Sequence, residues 1–337
     1  MPAALSPDSS FAPENWLRGS HVQSILTGLP PRRGRIERDA RALISASQPL
    51  LLDCGEGVRL LALHASRRSD APATRGVVVL LHGWEGSADS AYVLSLGQLL
   101  FDHDYAVVRL NLRDHGGTQY LNRELFHSCR LPEVQGAVRR LRAQFAEGPM
   151  FLAGFSLGGN FMLRVAAAAT ADDLDLAHVF AISPVLDPAS TLDALENGWS
   201  LYHFYFVSKW AQSLRLKQSA WPEDYELAPL LRSRNLRRMT AALVERYTEY
   251  PDLGSYLSGY ALTGSRLDAL RVPSTIITAL DDPIIPAADL ARLPQNPALR
   301  IIATENGGHC GFVEAFGRPS WVDRFILREI ERVARRD

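Results

Sequence analysis

Ser156 is the residue whose surroundings most clearly predict chemistry. It lies at the centre of Gly-Phe-Ser-Leu-Gly-Gly at 154–159, after an apolar run at 150–153 and before a helix-forming run at 160–167. This order predicts a strand, a tight turn and a helix, the context in which G-x-S-x-G forms a nucleophile elbow. The glycines let the strand and the helix pack closely, and the helix N-terminus presents free N–H groups to developing negative charge. We therefore expect Ser156 to be a catalytic nucleophile.

A serine hydroxyl is a poor nucleophile at neutral pH, so it needs a base and a carboxylate that orients the base. Two later residues fit these roles in the chain order Ser…Asp…His. Asp282 follows the apolar run 274–279, and His309 lies in a glycine-flanked loop after the last short strand. Asp281 is a rival for the acid. The spacing favours Asp282, because it precedes the Ile-Pro pair at 285–286 by three residues.

An oxyanion hole would place two backbone N–H groups near the attacked carbonyl. In an elbow the first comes from the residue after the nucleophile, here Leu157, and the second from the loop after an earlier strand. The sequence His-Gly-Trp-Glu-Gly at 82–86 follows the apolar run 76–81 and could supply the second donor. We expect that donor to be the N–H of Trp84.

Each of these patterns also has an ordinary structural interpretation. G-x-S-x-G occurs by chance, Asp-Asp-Pro is commonly a surface turn, and a glycine-flanked histidine is commonly a solvated loop residue. Their joint occurrence in the right order, each at a strand end, favours catalysis. We interpret His115 as a turn residue at the pocket rim and Cys310 as a packing residue. We predict neither a metal site nor a cofactor.

Alternating strands and helices must position these residues. Residues 50–53 and 58–64 predict a hairpin, and the unbroken apolar run 76–81 predicts a strand buried on both faces of a parallel sheet. The later elements are predicted as strands at 106–112, 150–153, 178–183, 274–279 and 300–303 and as helices at 90–102, 132–146 and 319–334. This alternation predicts a mostly parallel, doubly wound α/β sheet that binds ligands at the carboxyl ends of its strands.

Residues 185–265 interrupt the alternation. The stretch is rich in tryptophan, tyrosine and phenylalanine in mostly helical patterns, and it is too long for a connection within a sheet. We interpret it as a helical cap inserted between two parts of one core, 50–184 and 266–337.

Residues 1–49 are interpreted as an N-terminal arm and leading segment. Within it, the run 15–26 predicts a short helix anchored by Trp16. The first eight residues lack the basic and apolar regions of a signal peptide, and no apolar run reaches the length of about 18 residues that predicts a transmembrane helix. These features predict a cytoplasmic protein without a transmembrane segment.

The charge and cysteine content exclude other classes. The 337 residues include 36 lysines and arginines and 37 aspartates and glutamates, for a formal net charge of −1. Nucleic-acid-binding domains are usually basic, so we predict no nucleic-acid partner. Cys54, Cys129 and Cys310 are odd in number and far apart, which argues against a disulfide framework or a structural zinc site and is typical of a reducing compartment.

The sequence resembles the α/β-hydrolase superfamily over about residues 50–335. More narrowly, it resembles the YheT-like branch, bacterial relatives of the animal abhydrolase-domain phospholipases and esterases. Four patterns carry this narrower resemblance: Asn15, His21, Gln23, Ser24 and Ile25 in an Asn-x5-His-x-Gln-Ser-Ile pattern, His-Gly-Trp-Glu-Gly-Ser at 82–87, Gly-Phe-Ser-Leu-Gly-Gly-Asn at 154–160 and Asp-Asp-Pro at 281–283. The resemblance implies carboxylic-ester hydrolysis by a triad of Ser156, Asp282 and His309.

We therefore expect a cofactor-independent serine hydrolase that acts on a small-molecule ester or a lipid, with the cap aromatics selecting short or medium acyl chains. Two alternatives stay open. A thioesterase or acyltransferase would use the same triad, and a catalytically silent scaffold of this fold would bind a small ligand or a protein. The sequence makes no prediction of oligomeric state and leaves open whether the cap touches a membrane surface.

Overall fold

One mostly parallel sheet runs through the described residues, which are 8–66, 75–169 and 174–335 of this computed structural model. Its eight strands are β1 (Ser47–Asp53), β2 (Arg59–Ala65), β3 (Val77–Leu81), β4 (Ala106–Leu110), β5 (Met150–Phe155), β6 (His178–Ile182), β7 (Ser274–Ala279) and β8 (Leu299–Thr304). Their order in the sheet is β1-β2-β4-β3-β5-β6-β7-β8. Strand β2 is antiparallel to both of its neighbours, and all other pairs are parallel. The predicted α/β fold class is confirmed.

The described residues also form twelve α-helices, some of which cover the two faces of the sheet. They are α1 (Ser20–Leu26), α2 (Pro30–Asp39), α3 (Arg41–Ala46), α4 (Ala91–Asp102), α5 (Leu131–Gln144), α6 (Leu157–Ala168), α7 (Pro188–Asn197), α8 (Ser200–Ala220), α9 (Ala228–Arg232), α10 (Leu236–Tyr247), α11 (Leu253–Gly259) and α12 (Trp321–Ala334). Every predicted core strand and helix is found within three residues of its predicted bounds. None of the helices in the described part of the chain has the length and apolar character needed to span a bilayer.

Strand β3 shows why the sequence has an unbroken apolar run in the middle of the sheet. Its alternate residues Val77 and Val79 pack on one face with α5 and α6, while Val78 and Leu80 pack on the opposite face with α4 and α12. Each face therefore has its own hydrophobic core, and every residue of β3 is buried. Such burial on both faces is the usual environment of a central parallel strand.

The predicted cap region contains helices α7 to α11, between β6 and β7. Three of these helices begin at a capping side chain: Asp187, Asn235 and Asp252 each accept hydrogen bonds from backbone N–H groups of the first turn. Apolar residues of the region, such as Trp210 and Leu243, belong to the same buried cluster as α5 and α6. The domain boundaries at 185 and 265 stay a prediction.

The N-terminal segment is more structured than predicted. It forms a short 3-10 turn at Asn15–Leu17 followed by α1, α2 and α3. The prediction that Trp16 anchors it is wrong, because Trp16 is 55% exposed while the adjacent Leu17 is fully buried. A turn of three residues has no helical period from which the buried position can be predicted. Residues 1–7, on which the prediction about a signal peptide depends, lie outside the described residues.

Candidate active site

Ser156 lies on the sharp turn between β5 and α6. Its backbone φ is 53°, a strained value for a residue with a side chain and one that occurs often at functional sites. The adjacent glycines are required by close packing. A Cβ at Gly154 would lie 2.3 Å from the carbonyl oxygen of Gly158, and a Cβ at Gly158 would lie 2.4 Å from that of His82. The G-x-S-x-G pattern therefore lets β5, α6 and the end of β3 meet.

His309 lies between Ser156 and Asp282. Its Nε2 is 3.0 Å from the Ser156 Oγ, and its Nδ1 is 2.9 Å from the Asp282 Oδ2. The Asp282 side chain is fully buried, and its Oδ1 accepts hydrogen bonds from the N–H groups of Ile284 and Ile285. These bonds fix the carboxylate, which can accept a hydrogen bond from the Nδ1–H and leave Nε2 as the acceptor for the serine hydroxyl.

The electrostatics of His309 reflect two opposing effects. Burial lowers its pKa, whereas the negative charge of Asp282 raises it, and the resulting pKa lies well above the ordinary value of 6.5. The geometry also separates the two candidate acids. Asp281 accepts a hydrogen bond from the Gly308 N–H at 2.9 Å and so contacts the backbone next to His309 rather than the imidazole. Burial raises the pKa of Asp281.

The two predicted oxyanion donors, Trp84 and Leu157, line the same cavity as Ser156. Leu157 is the first residue of α6, so its N–H has no partner within the helix. The Trp84 N–H donates no hydrogen bond to another described residue. Gly83 allows the approach of this loop, since a Cβ there would lie 3.1 Å from the Cβ of Ser156. Both N–H groups are thus available near the serine.

Two buried histidines support the loop that carries Trp84. The Nε2 of His115 accepts a hydrogen bond from the Glu85 N–H at 3.2 Å. His82 donates from Nδ1 to the Gly83 carbonyl at 2.7 Å. Burial lowers the pKa of His82 to about 3 and that of His115 to about 4, so both imidazoles are neutral at pH 7. His115 therefore lies buried behind this loop, whereas the sequence predicted a position at the pocket rim.

A cavity of about 110 Å³ opens beside Ser156, beneath α7, α8, α10 and α11. Its walls include the apolar side chains of Trp84, Leu192, Leu195, Phe206, Trp210 and Leu243. The indole of Trp84 stacks on Phe206 with ring centroids 5.3 Å apart, and Trp210 meets the indole edge-on at 5.4 Å. Helices of the predicted cap region and the loop after β3 together form an apolar wall next to the serine.

Cys310 is buried beside His309, and its Sγ lies 3.8 Å from the Ile182 carbonyl oxygen. Cys54, Cys129 and Cys310 are all free thiols. Within the described ranges, no group of three histidine, cysteine, aspartate or glutamate side chains is placed to hold a metal ion.

A family model for the alpha/beta hydrolase fold matches residues 76–316. The Mus musculus protein named "Phospholipase ABHD3" is 23% identical over 247 residues, which are 72% of this chain and 59% of that protein. The Escherichia coli (strain K12) protein named "Putative esterase YheT" is 29% identical over 245 residues, 70% of each chain. The chain thus spans about three fifths of the mouse protein's length.

Among solved structures, the Pyrococcus furiosus esterase Pf2001 superimposes with a TM-score of 0.55 at 14% sequence identity. The match covers 85% of this chain and 90% of that structure. At this identity the likeness concerns the fold alone.

Proposed function

The chain belongs to the α/β-hydrolase fold family. We propose that it is a serine hydrolase that cleaves carboxylic esters. One observation carries the proposal: the His309 imidazole contacts the Ser156 hydroxyl at 3.0 Å and the Asp282 carboxylate at 2.9 Å. The names of the two protein relatives, a phospholipase and an esterase, support ester chemistry.

In the proposed reaction the Ser156 Oγ attacks the ester carbonyl carbon as the His309 Nε2 takes the hydroxyl proton. Asp282 holds the imidazole orientation and stabilises its charged form. The carbonyl oxygen becomes an oxyanion, which accepts hydrogen bonds from the N–H groups of Leu157 and Trp84. The alcohol then leaves with the proton from His309. Water attacks the acyl-enzyme by the same steps and releases the acid and free Ser156.

The substrate is proposed to carry a short or medium acyl chain. The apolar cavity beside Ser156 has the composition of an acyl pocket, and its volume of about 110 Å³ is small. A bulky side chain at Trp210 closes part of this space. A series of p-nitrophenyl esters of increasing chain length should therefore show a maximum in kcat/KM at short or medium length. A steady rise up to long chains would contradict the proposed pocket.

Fluorophosphonate labelling and p-nitrophenyl ester turnover of the wild type beside Ser156→Ala test the chemistry directly. Loss of a triad nucleophile should lower kcat by about 10⁴–10⁶-fold and abolish labelling. Ser258→Ala is a matched control, because Ser258 is an exposed serine on α11 that does not line the cavity. A folded wild type without labelling would favour the silent scaffold. Acyl-thioesters and an added alcohol in the same assay distinguish hydrolysis of esters from thioesterase or transferase activity.

A further inference from the structure

The N-terminal pattern around His21, Gln23 and Ser24 has no part in the reaction steps above. In the structure these residues lie on α1, which packs directly against the loop that carries His309. We call this segment, residues 307–313, the histidine loop. Four of its residues, Gly307, Gly308, Cys310 and Phe312, have positive φ. The loop therefore has no repeating backbone conformation.

Ser24 contacts the backbone of His309 itself. Its Oγ accepts a hydrogen bond from the backbone N–H of His309 at 2.8 Å. The same hydroxyl donates its proton to the carbonyl oxygen of Ser20 at 2.7 Å, one helical turn earlier. One side chain thus links α1 to the main chain of His309.

Gln23 holds the far end of the histidine loop. The side chain is fully buried. Its Nε2 donates to the carbonyl oxygens of Leu17 and Val313 at 2.7 and 2.9 Å. Its Oε1 accepts from the Val313 N–H at 2.8 Å. Both hydrogens and the oxygen of the amide are engaged, so only an amide of this length satisfies all three backbone groups.

The backbones of α1 and the histidine loop are in close contact. A Cβ at Gly308 would lie 2.3 Å from the Ser20 carbonyl oxygen, and a Cβ at Gly311 would lie 2.4 Å from that of Gln23. Glycine at these two positions leaves no side chain between the helix and the loop. A small displacement of α1 must therefore displace the segment on either side of His309.

The same helix also contacts the cap. The His21 Nδ1 lies 3.0 Å from the Tyr202 hydroxyl on α8, and its ring lies 4.7 Å from that of Trp199. Burial raises the pKa of Tyr202, and a hydrogen bond with Ser24 lowers it in part. Helix α1 is therefore held from the cap side while it holds the histidine loop.

We propose that Ser24 and Gln23 are positioning residues that hold the His309 imidazole at hydrogen-bonding distance from both Ser156 and Asp282. The inference rests on the proposed function. It adds to that function two residues of α1, a helix that is distant in sequence from the three triad residues. Neither residue contacts the reacting atoms, so their effect is on alignment rather than on substrate binding. A misplacement of about 1 Å can cost about 100-fold in rate.

The test compares Ser24→Ala with the wild type. We expect kcat to fall by about 10- to 100-fold with little change in KM, since the acyl pocket is untouched. Ser24→Thr keeps the hydroxyl and should restore most of kcat. Val22→Ala is the matched control on α1, because Val22 is 39% exposed. Thermal unfolding of all variants separates misalignment from loss of fold. Gln23→Ala is expected to act in the same direction.

A second readout does not depend on turnover. The proton between the His309 Nδ1 and Asp282 should give a far-downfield proton NMR signal in the wild type, and the signal should shift or broaden in Ser24→Ala. Unchanged kcat, KM and signal in folded Ser24→Ala would overturn the inference. A wild type with neither turnover nor Ser156 labelling would refute the proposed function instead, and the NMR comparison would still decide the positioning role.

Discussion

Gly158→Ala is the substitution that tests the geometry around Ser156 most directly. Gly158 is the second residue of α6, and a Cβ at this position would lie 2.4 Å from the carbonyl oxygen of His82 and 2.5 Å from that of Leu81. Both oxygens are backbone atoms at the end of β3, immediately before the loop that carries Trp84. The clash cannot be relieved by turning a side chain. The helix and the strand must therefore move apart.

The size of the movement follows from the contact distance. Cβ atoms essentially never approach other heavy atoms closer than 3.0 Å, so the His82 oxygen at 2.4 Å must retreat by about 0.6 Å at least. The movement separates the Leu157 N–H on α6 from the Trp84 N–H after β3. Loss of one oxyanion donor costs about 10²–10³-fold in kcat, and we expect Gly158→Ala to lose about 100-fold. Overpacking should also lower the free energy of unfolding by about 1–3 kcal/mol.

The assay is kcat for a p-nitrophenyl ester together with urea unfolding. Gly34→Ala on α2 is the control, because its Cβ would meet only the end of the Arg38 side chain at 3.8 Å. That control should keep full activity and unfold at the same or higher urea concentration, since alanine favours a helix over glycine. Wild-type kcat and stability in Gly158→Ala would refute the argument that this contact sets the spacing of the two donors.

Two further predictions concern buried charges. Lys217→Met should lower the free energy of unfolding by about 3–5 kcal/mol, because it removes the partner 2.8 Å from Asp114 and leaves that carboxylate buried. Urea unfolding measures this loss, and Lys209→Met, at an exposed position on the same helix, is the control. A loss below about 1 kcal/mol would contradict the reasoning. Burial raises the pKa of Glu85 to about 8, so the carboxyl of this residue, which follows Trp84 in the chain, becomes charged as pH rises through that value and should oppose an oxyanion. The kcat of the wild type relative to that of Glu85→Gln should therefore fall above about pH 8, and identical pH profiles would contradict the assignment.

The sheet could be predicted from the sequence because its signals are local. The unbroken apolar run that became β3 and the glycine pattern around Ser156 each reflect packing within a few residues. Asp282 and His309 were predicted without any knowledge of distance, because the fold brings the carboxyl ends of its parallel strands to one edge. Local patterns and chain order together were sufficient to predict that these residues lie near Ser156, and their catalytic roles stay a prediction.

Contacts between distant segments could not be predicted in this way. Lys217 and Asp114 are 103 residues apart, and neither has a neighbouring pattern that indicates the other. The three buried hydrogen bonds of Gln23 could not be predicted either, since a lone glutamine in a short helix has no sequence signal for them. Trp16 was misassigned because aromatic size suggests burial, whereas the direction of a side chain in a three-residue turn is set by tertiary packing.

The bond between Ser24 and His309 spans 285 positions of the chain, and that between Gln23 and Val313 spans 290. Contacts of such separation form late in folding, because the entropy of closing a long loop must be overcome first. During synthesis the N-terminal residues emerge first and the C-terminal ones last. Helix α1 must therefore wait for nearly the whole chain before it meets the histidine loop. A nascent polypeptide whose elbow at Ser156 has already formed would still lack His309, so the proposed triad can be complete only after the C-terminal part of the chain has been synthesised.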